Sequence, residues 1–119
     1  SASFKDLRVW QEAMRFAVEV YRSNITISQA ELYGLADNCV EQQSVPSNIA
    51  EGKGHRSDRE FGNFLLHARG SLLEVQTQLM LAGELQYICG EDAQRILASA
   101  DAIGQSLNGL INAIREKAV

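Results

Sequence analysis

Apolar residues recur at three- and four-residue steps through most of this chain, the spacing of one face of an α-helix. The first run, Leu7, Trp10, Ala13, Met14, Ala17, Val18 and Tyr21, predicts a helix with one apolar stripe; Lys5, Glu12, Arg15, Glu19 and Arg22 lie elsewhere on its circumference. Polar and β-branched residues from Ser23 to Ile27 then break the pattern. Ser28 and Glu31 make an S-x-x-E capping box, which opens a second helix through Leu32, Leu35, Ala36, Cys39 and Val40. Pro46, the only proline, falls inside that block. It removes a backbone donor and clashes with the carbonyl four residues back, so the helix is expected to kink there and resume at Ile49 and Ala50. Gly52-Lys53-Gly54 is expected to end it, glycine being favoured just past a helix terminus.

A second capping box, Ser57 with Glu60, predicts the start of the third helix. Phe61, Leu65, Ala68, Leu72, Val75, Leu79 and Ala82 follow in alternating steps of four and three, a heptad seam. Gly90 and the acidic pair Glu91-Asp92 separate it from a fourth helix with core positions Ile96, Ala100, Ile103, Leu107, Leu110 and Ile114, and with Lys117 at its end. Four amphipathic helices with short links predict an all-α fold: an antiparallel up-down-up-down four-helix bundle, its second helix kinked at Pro46. No linker or repeat divides the chain, so residues 1–119 are read as a single domain.

Composition narrows the class without changing the fold. Apolar residues make up 45% and charged residues 22% of the 119, which is ordinary globular usage and excludes a disordered or collagen-like chain. No apolar run approaches the ~20 residues of a membrane helix, and no basic segment followed by an apolar one opens the chain, so a cytoplasmic protein is expected. The two cysteines, Cys39 and Cys89, are expected to be reduced, small, buried apolar residues. A net charge of −4 argues against a protein that coats nucleic acid by charge alone.

The charge is unevenly spread. No basic residue lies between Arg22 and Lys53, whereas Glu31, Asp37, Glu41 and Glu51 do. Lys53, His55, Arg56 and Arg59 then cluster at the turn into the third helix, with Arg69 further along it. Such a turn can contact phosphates or a partner's acidic surface. Five glycines inside the last two helices, Gly62, Gly70, Gly83, Gly104 and Gly109, each cost roughly 1 kcal/mol against alanine. They point to close backbone approach within the bundle or between subunits. Phe64, Leu66, Leu73 and Leu81 exceed what one seam can bury, which favours an oligomer.

Site chemistry is sparse. Neither histidine, His55 nor His67, has a glutamate three residues before it, so the di-metal pattern of ferritin-like bundles is missing, and the cysteines and histidines lack zinc-site spacing. Gly52-Lys53-Gly54 is too short for a phosphate-binding P-loop. No cofactor, metal or catalytic residue is expected. His67 lies on the outer face of the third helix, as the phosphorylated histidine of phosphotransfer domains does. There a lysine, glycine and serine follow; here Arg69, Gly70 and Ser71 fall one residue short, which turns the cation by about 100°.

Several stretches carry a resemblance. Leu7-Arg8-Val9-Trp10, Leu32-Tyr33-Gly34-Leu35 and Ser44-Val45-Pro46-Ser47-Asn48-Ile49-Ala50-Glu51-Gly52 resemble the 23S rRNA intervening-sequence protein family of bacterial four-helix bundles. So do Glu60-Phe61, Phe64-Leu65, Gly70-Ser71-Leu72 and Gln78-Leu79. The resemblance spans roughly residues 4 to 88, and its marker residues are Trp10, Tyr33, Gly34, Pro46, Ser47, Asn48, Glu51 and Gly52. It implies a cytoplasmic homopentamer without known enzymatic activity. It also implies kinship with the accessory protein of diversity-generating retroelements, a pentameric barrel that binds nucleic acid and partners a reverse transcriptase. Where family members usually carry an arginine pair, this chain reads Asn38-Cys39-Val40-Glu41-Gln42-Gln43. The expectation is therefore a non-enzymatic, self-assembling scaffold or adaptor that touches nucleic acid or a protein partner through Lys53, His55, Arg56, Arg59 and Arg69. The alternatives are an RNA-binding protein associated with ribosomal RNA and a histidine phosphotransfer module.

Overall fold

The computed structural model describes residues 3–23, 38–55 and 57–118. A short 3-10 turn, Phe4–Asp6, leads into α1 (Arg8–Arg22); α2 (Asn38–Gly54), α3 (Asp58–Glu84) and α4 (Gly90–Ala118) follow, and no strand occurs among the described residues. The Ser28–Glu31 box and Leu32, Leu35 and Ala36 lie outside the described residues, as do Tyr33, Gly34 and Arg56 and the side chains of Cys39 and Val40.

The helices pack in a closed circuit: α1 on α2, α2 on α3, α3 on α4, and α4 back on α1. Pairs that touch run in opposite order along neighbouring helices. Arg69 Nη1 donates to Asn108 Oδ1 at 2.8 Å and Gln76 Nε2 to Asp101 Oδ1 at 2.9 Å, so α3 and α4 are antiparallel. Ser44 meets Ser71, and Gly52 meets Phe61 and Phe64, which makes α2 and α3 antiparallel too. Glu12 reaches Ser106 and Glu19 reaches Arg95, so α1 and α4 are antiparallel as well. The result is a rod 48 × 22 × 21 Å.

The core runs along the rod axis, and α3 contributes to it with the seven residues of its heptad seam, all buried. Each fully buried Leu or Phe there is worth about 1.5–3 kcal/mol. In α4 the buried row is Ala93, Ile96, Ala100, Ile103, Leu107, Ile111 and Ile114. Ile111 thus replaces the expected Leu110, which packs at the edge: a second step of four after Leu107 breaks the strict alternation, as a turn of about 3.6 residues drifts against a repeat of about 3.5.

The largest departure is in α1. Its buried face is Val9, Ala13, Phe16 and Val20, while Met14, Val18 and Tyr21 of the expected stripe stand 39%, 42% and 72% exposed. Leu7 and Trp10 pack only at the core's edge. The helix carries two apolar rows of the right period, and the row that holds Phe16 is the one turned inward.

In α2 the helix runs on through Pro46 to Gly54, with Val45, Pro46 and Ile49 buried and Gln42 beside them. The helix ends at Gly54, within the expected Gly52-Lys53-Gly54 stop, and Gly52 is in addition a contact. A Cβ on it would stand 2.6 Å from Phe64 Cβ and 3.0 Å from Phe61 Cδ1, distances only a bare glycine allows. At the other end of α3, Gln86 takes the left-handed conformation (φ 63°). Tyr87 N donates to the Ala82 carbonyl at 2.9 Å and Gln86 N to that of Gly83 at 3.1 Å, the paired bonds of a Schellman cap. Ile88 turns into the core just beyond it, which leaves Cys89 exposed, contrary to the expected buried thiol. Cys89 sits in the link before α4, where its neighbour takes the inward position.

Candidate functional site

The corner between α2 and α3 gathers most of the residues singled out by charge. The last turn of α2 carries Lys53 outward, with its Nζ 5.8 Å from the centre of the Phe61 ring. His55 N donates to the Gly52 carbonyl at 3.1 Å, which closes the turn, and Ser57 Oγ accepts from Glu60 N at 3.0 Å, which caps α3. Only this half of the capping box forms. The Glu60 carboxylate turns instead to His55, whose Nδ1 lies 2.6 Å from Oε2. The His55 ring stacks on Phe64 (centroids 4.9 Å apart, planes at 22°), and His67 meets the edge of the same ring at 6.4 Å. A strip of three rings thus runs from the corner along α3.

Arg59 is exposed at the first turn of α3, close in sequence to Lys53 and His55, whereas Arg69 is not part of the corner. It lies about half a turn round the helix from Glu60 and is bound to Asn108 on α4. For the same reason no cation stands beside His67 from that position. Glu51, Asp58 and Glu60 share the corner with Lys53 and Arg59, so its positive charge is diluted by three carboxylates. The sequence assigned Glu51 to the acidic second helix and Glu60 to a cap, and so did not set them against the cations of the turn. Among the described residues no group of three His, Cys, Asp or Glu side chains is placed to hold a metal ion, and no helix is long and apolar enough to cross a membrane.

The marker residues of the resemblance are architectural where they are described. Trp10 meets Phe4 edge to face at 5.2 Å and fastens the N-terminal turn to α1. Asn48 Nδ2 donates to both the carbonyl and the Oγ of Ser44, each at 2.8 Å, and Ser44 Oγ lies 2.9 Å from Ser71 Oγ. This part-buried polar link fixes the register of α2 on α3, next to the close contact at Gly52. Pro46 is buried, while Ser47 and Glu51 face outward.

One surface feature escaped the sequence, and a second was legible only in part, through Leu73 and Leu81. Arg8, Arg15 and Arg22 follow one another at seven-residue steps down the exposed side of α1, about 10.5 Å apart along its axis. Met14, Val18 and Tyr21 lie beside that row. On α3, Leu73, Met80, Leu81 and Leu85 are 57%, 53%, 53% and 50% exposed, a second apolar patch on another helix. The seven-residue spacing of the arginines was the available signal for the first. The α1 patch could be found only once the helix's buried row was known.

No curated protein matches the chain. The sequence model of one family, the 23S rRNA-intervening sequence protein, matches residues 5–109, which carries the likeness beyond α3 and through most of α4. The chain belongs to that family.

Proposed function

We propose that this chain is a non-enzymatic subunit of a self-assembling cytoplasmic scaffold, five copies to the assembly as its family kinship implies. The observation that carries this reading is the apolar surface left over once the core is filled: Met14, Val18 and Tyr21 on α1, and Leu73, Met80, Leu81 and Leu85 on α3. Contiguous exposed apolar residues on a small protein mark an interface more often than a solvated face. Native mass spectrometry of the untagged protein at low salt tests the reading, with a five-fold mass expected. A monomer at every concentration overturns it.

A second reading, contact with nucleic acid, is favoured by the corner. Lys53 and Arg59 offer charge there, and His55, Phe64 and His67 offer rings of the kind on which unpaired bases stack. Anisotropy of a labelled single-stranded RNA at several salt concentrations tests it. Arg56→Ala and Arg59→Ala should each lower the slope of log affinity against log salt by about one. Absence of binding at low salt removes this reading and leaves the scaffold intact.

A further inference from the structure

The two apolar patches differ in the charge that surrounds them. On α1, Met14, Val18 and Tyr21 are bordered by the exposed Arg15 and Arg22. The acids of that helix are turned away toward α4, where Glu19 holds Arg95 at 3.3 Å and Glu12 reaches Ser106 Oγ at 3.5 Å. On α3, Leu73, Met80, Leu81 and Leu85 are bordered by the exposed Glu74 and Glu84, and no Lys, Arg or His occurs from Gly70 to Gln94. One patch is edged by two arginines and the other by two glutamates, and Arg69, the cation beside Leu73, is held by Asn108 on α4.

Two copies of the α1 patch brought together would set Arg15 and Arg22 against their own kind, and two α3 patches would do so with Glu74 and Glu84. Like charges facing each other across an interface cost several kcal/mol, while opposite ones set partner and register. Gly70 adds a separate observation. It lies exposed in mid-helix beside Leu66 and Leu73, a Cβ on it would meet nothing within 4 Å, and so nothing among the described residues explains it. A second backbone drawn close to α3 would.

We infer that the α1 face of one copy docks on the α3 face of the next, head to tail, in a pairing that rests on the self-assembly proposed above. A contact between two different faces repeats from copy to copy and closes into a ring when the rotation allows. Val18 and Met80 are the central residues of the two faces, and Arg22 with Glu84 is a charge pair across them.

The test uses two full-length variants, Val18→Asp and Met80→Asp, each checked for native helicity by circular dichroism. Head-to-tail docking leaves each variant with one working face. Each alone should lose the assembled mass and run as a monomer. An equal mixture should form a one-to-one heterodimer, because the intact α3 face of the first meets the intact α1 face of the second. Native mass spectrometry distinguishes the variants by mass. A homodimer of either variant overturns the pairing in favour of self-matched patches. Variants that assemble like the parent show that other faces are used, and the self-assembly reading survives. Two monomers that fail to pair on mixing also overturn it, and a monomeric parent removes self-assembly itself. If either variant fails to fold, Arg22→Glu and Glu84→Arg take its place: each alone should weaken assembly, and both in one chain should restore it. No recovery in the double variant counts against the charge match.

Discussion

Gly52 and Gly109 are both helical glycines, and they should respond to the same substitution in opposite ways. Gly52→Ala would place a methyl 2.6 Å from Phe64 Cβ, an atom fixed to the α3 backbone, so the two helices must move apart. The expected loss is about 1–3 kcal/mol, the usual range for overpacking. Gly109 is exposed on α4, and a Cβ there meets nothing within 4 Å. Gly109→Ala should stabilise by up to about 1 kcal/mol through helix propensity alone. Urea unfolding of the two variants under one buffer measures both; a stabilised Gly52→Ala protein would mean that the α2–α3 spacing is not set by that contact. Asn48 works at the same scale. It uses its amide to hold Ser44, which frees the Ser44 hydroxyl to reach across to Ser71.

At the scale of elements, the turn after α3 stores a removable cost. Gln86 occupies a left-handed position that costs an L-residue roughly 1–2 kcal/mol and glycine almost nothing. Gln86→Gly should therefore raise the unfolding free energy by about 1 kcal/mol and keep both cap hydrogen bonds, a gain that thermal and urea melts would reveal. How far the elements could be read from the sequence differs from helix to helix, for a physical reason. In α3 every seam position is apolar and the steps alternate strictly, so period and phase are both defined even though Leu73, Met80, Leu81 and Leu85 stand on the outer side. In α1 two apolar rows share one period; the sequence defined the helix but not its rotation, and only packing against α4 turned Phe16 inward. The stop at Gly52-Lys53-Gly54 was legible, since the helix ends at Gly54, but a glycine near a helix end can also serve a close contact. The bare contact with Phe64 appears only when α3 is folded back on α2. The candidate site divides in the same way. Lys53, His55 and Arg59 were legible as near neighbours in the chain. Arg69 depended on a helix phase that points it toward Asn108. The exposed Cys89 depended on which of two adjacent residues in a link takes the buried place.

At the scale of the whole molecule, charge and apolar surface act together, and salt separates them. Raising salt from about 0.1 M to about 1 M shortens the Debye length from ~10 Å to ~3 Å. Sedimentation analysis should then show a weaker subunit association, with a smaller salt effect in an Arg22→Gln protein than in the parent. Equal salt dependence of the two would leave the arginine without a role between copies. The two rows of α1 have a practical consequence as well. Val9, Ala13, Phe16 and Val20 share no residue with Met14, Val18 and Tyr21, so the inner and outer sides of the helix can be edited independently. Polar replacements at those three outer positions are expected to leave the buried row in place and, on the docking inferred above, to yield a lone 13.1 kDa subunit, a size suited to solution NMR.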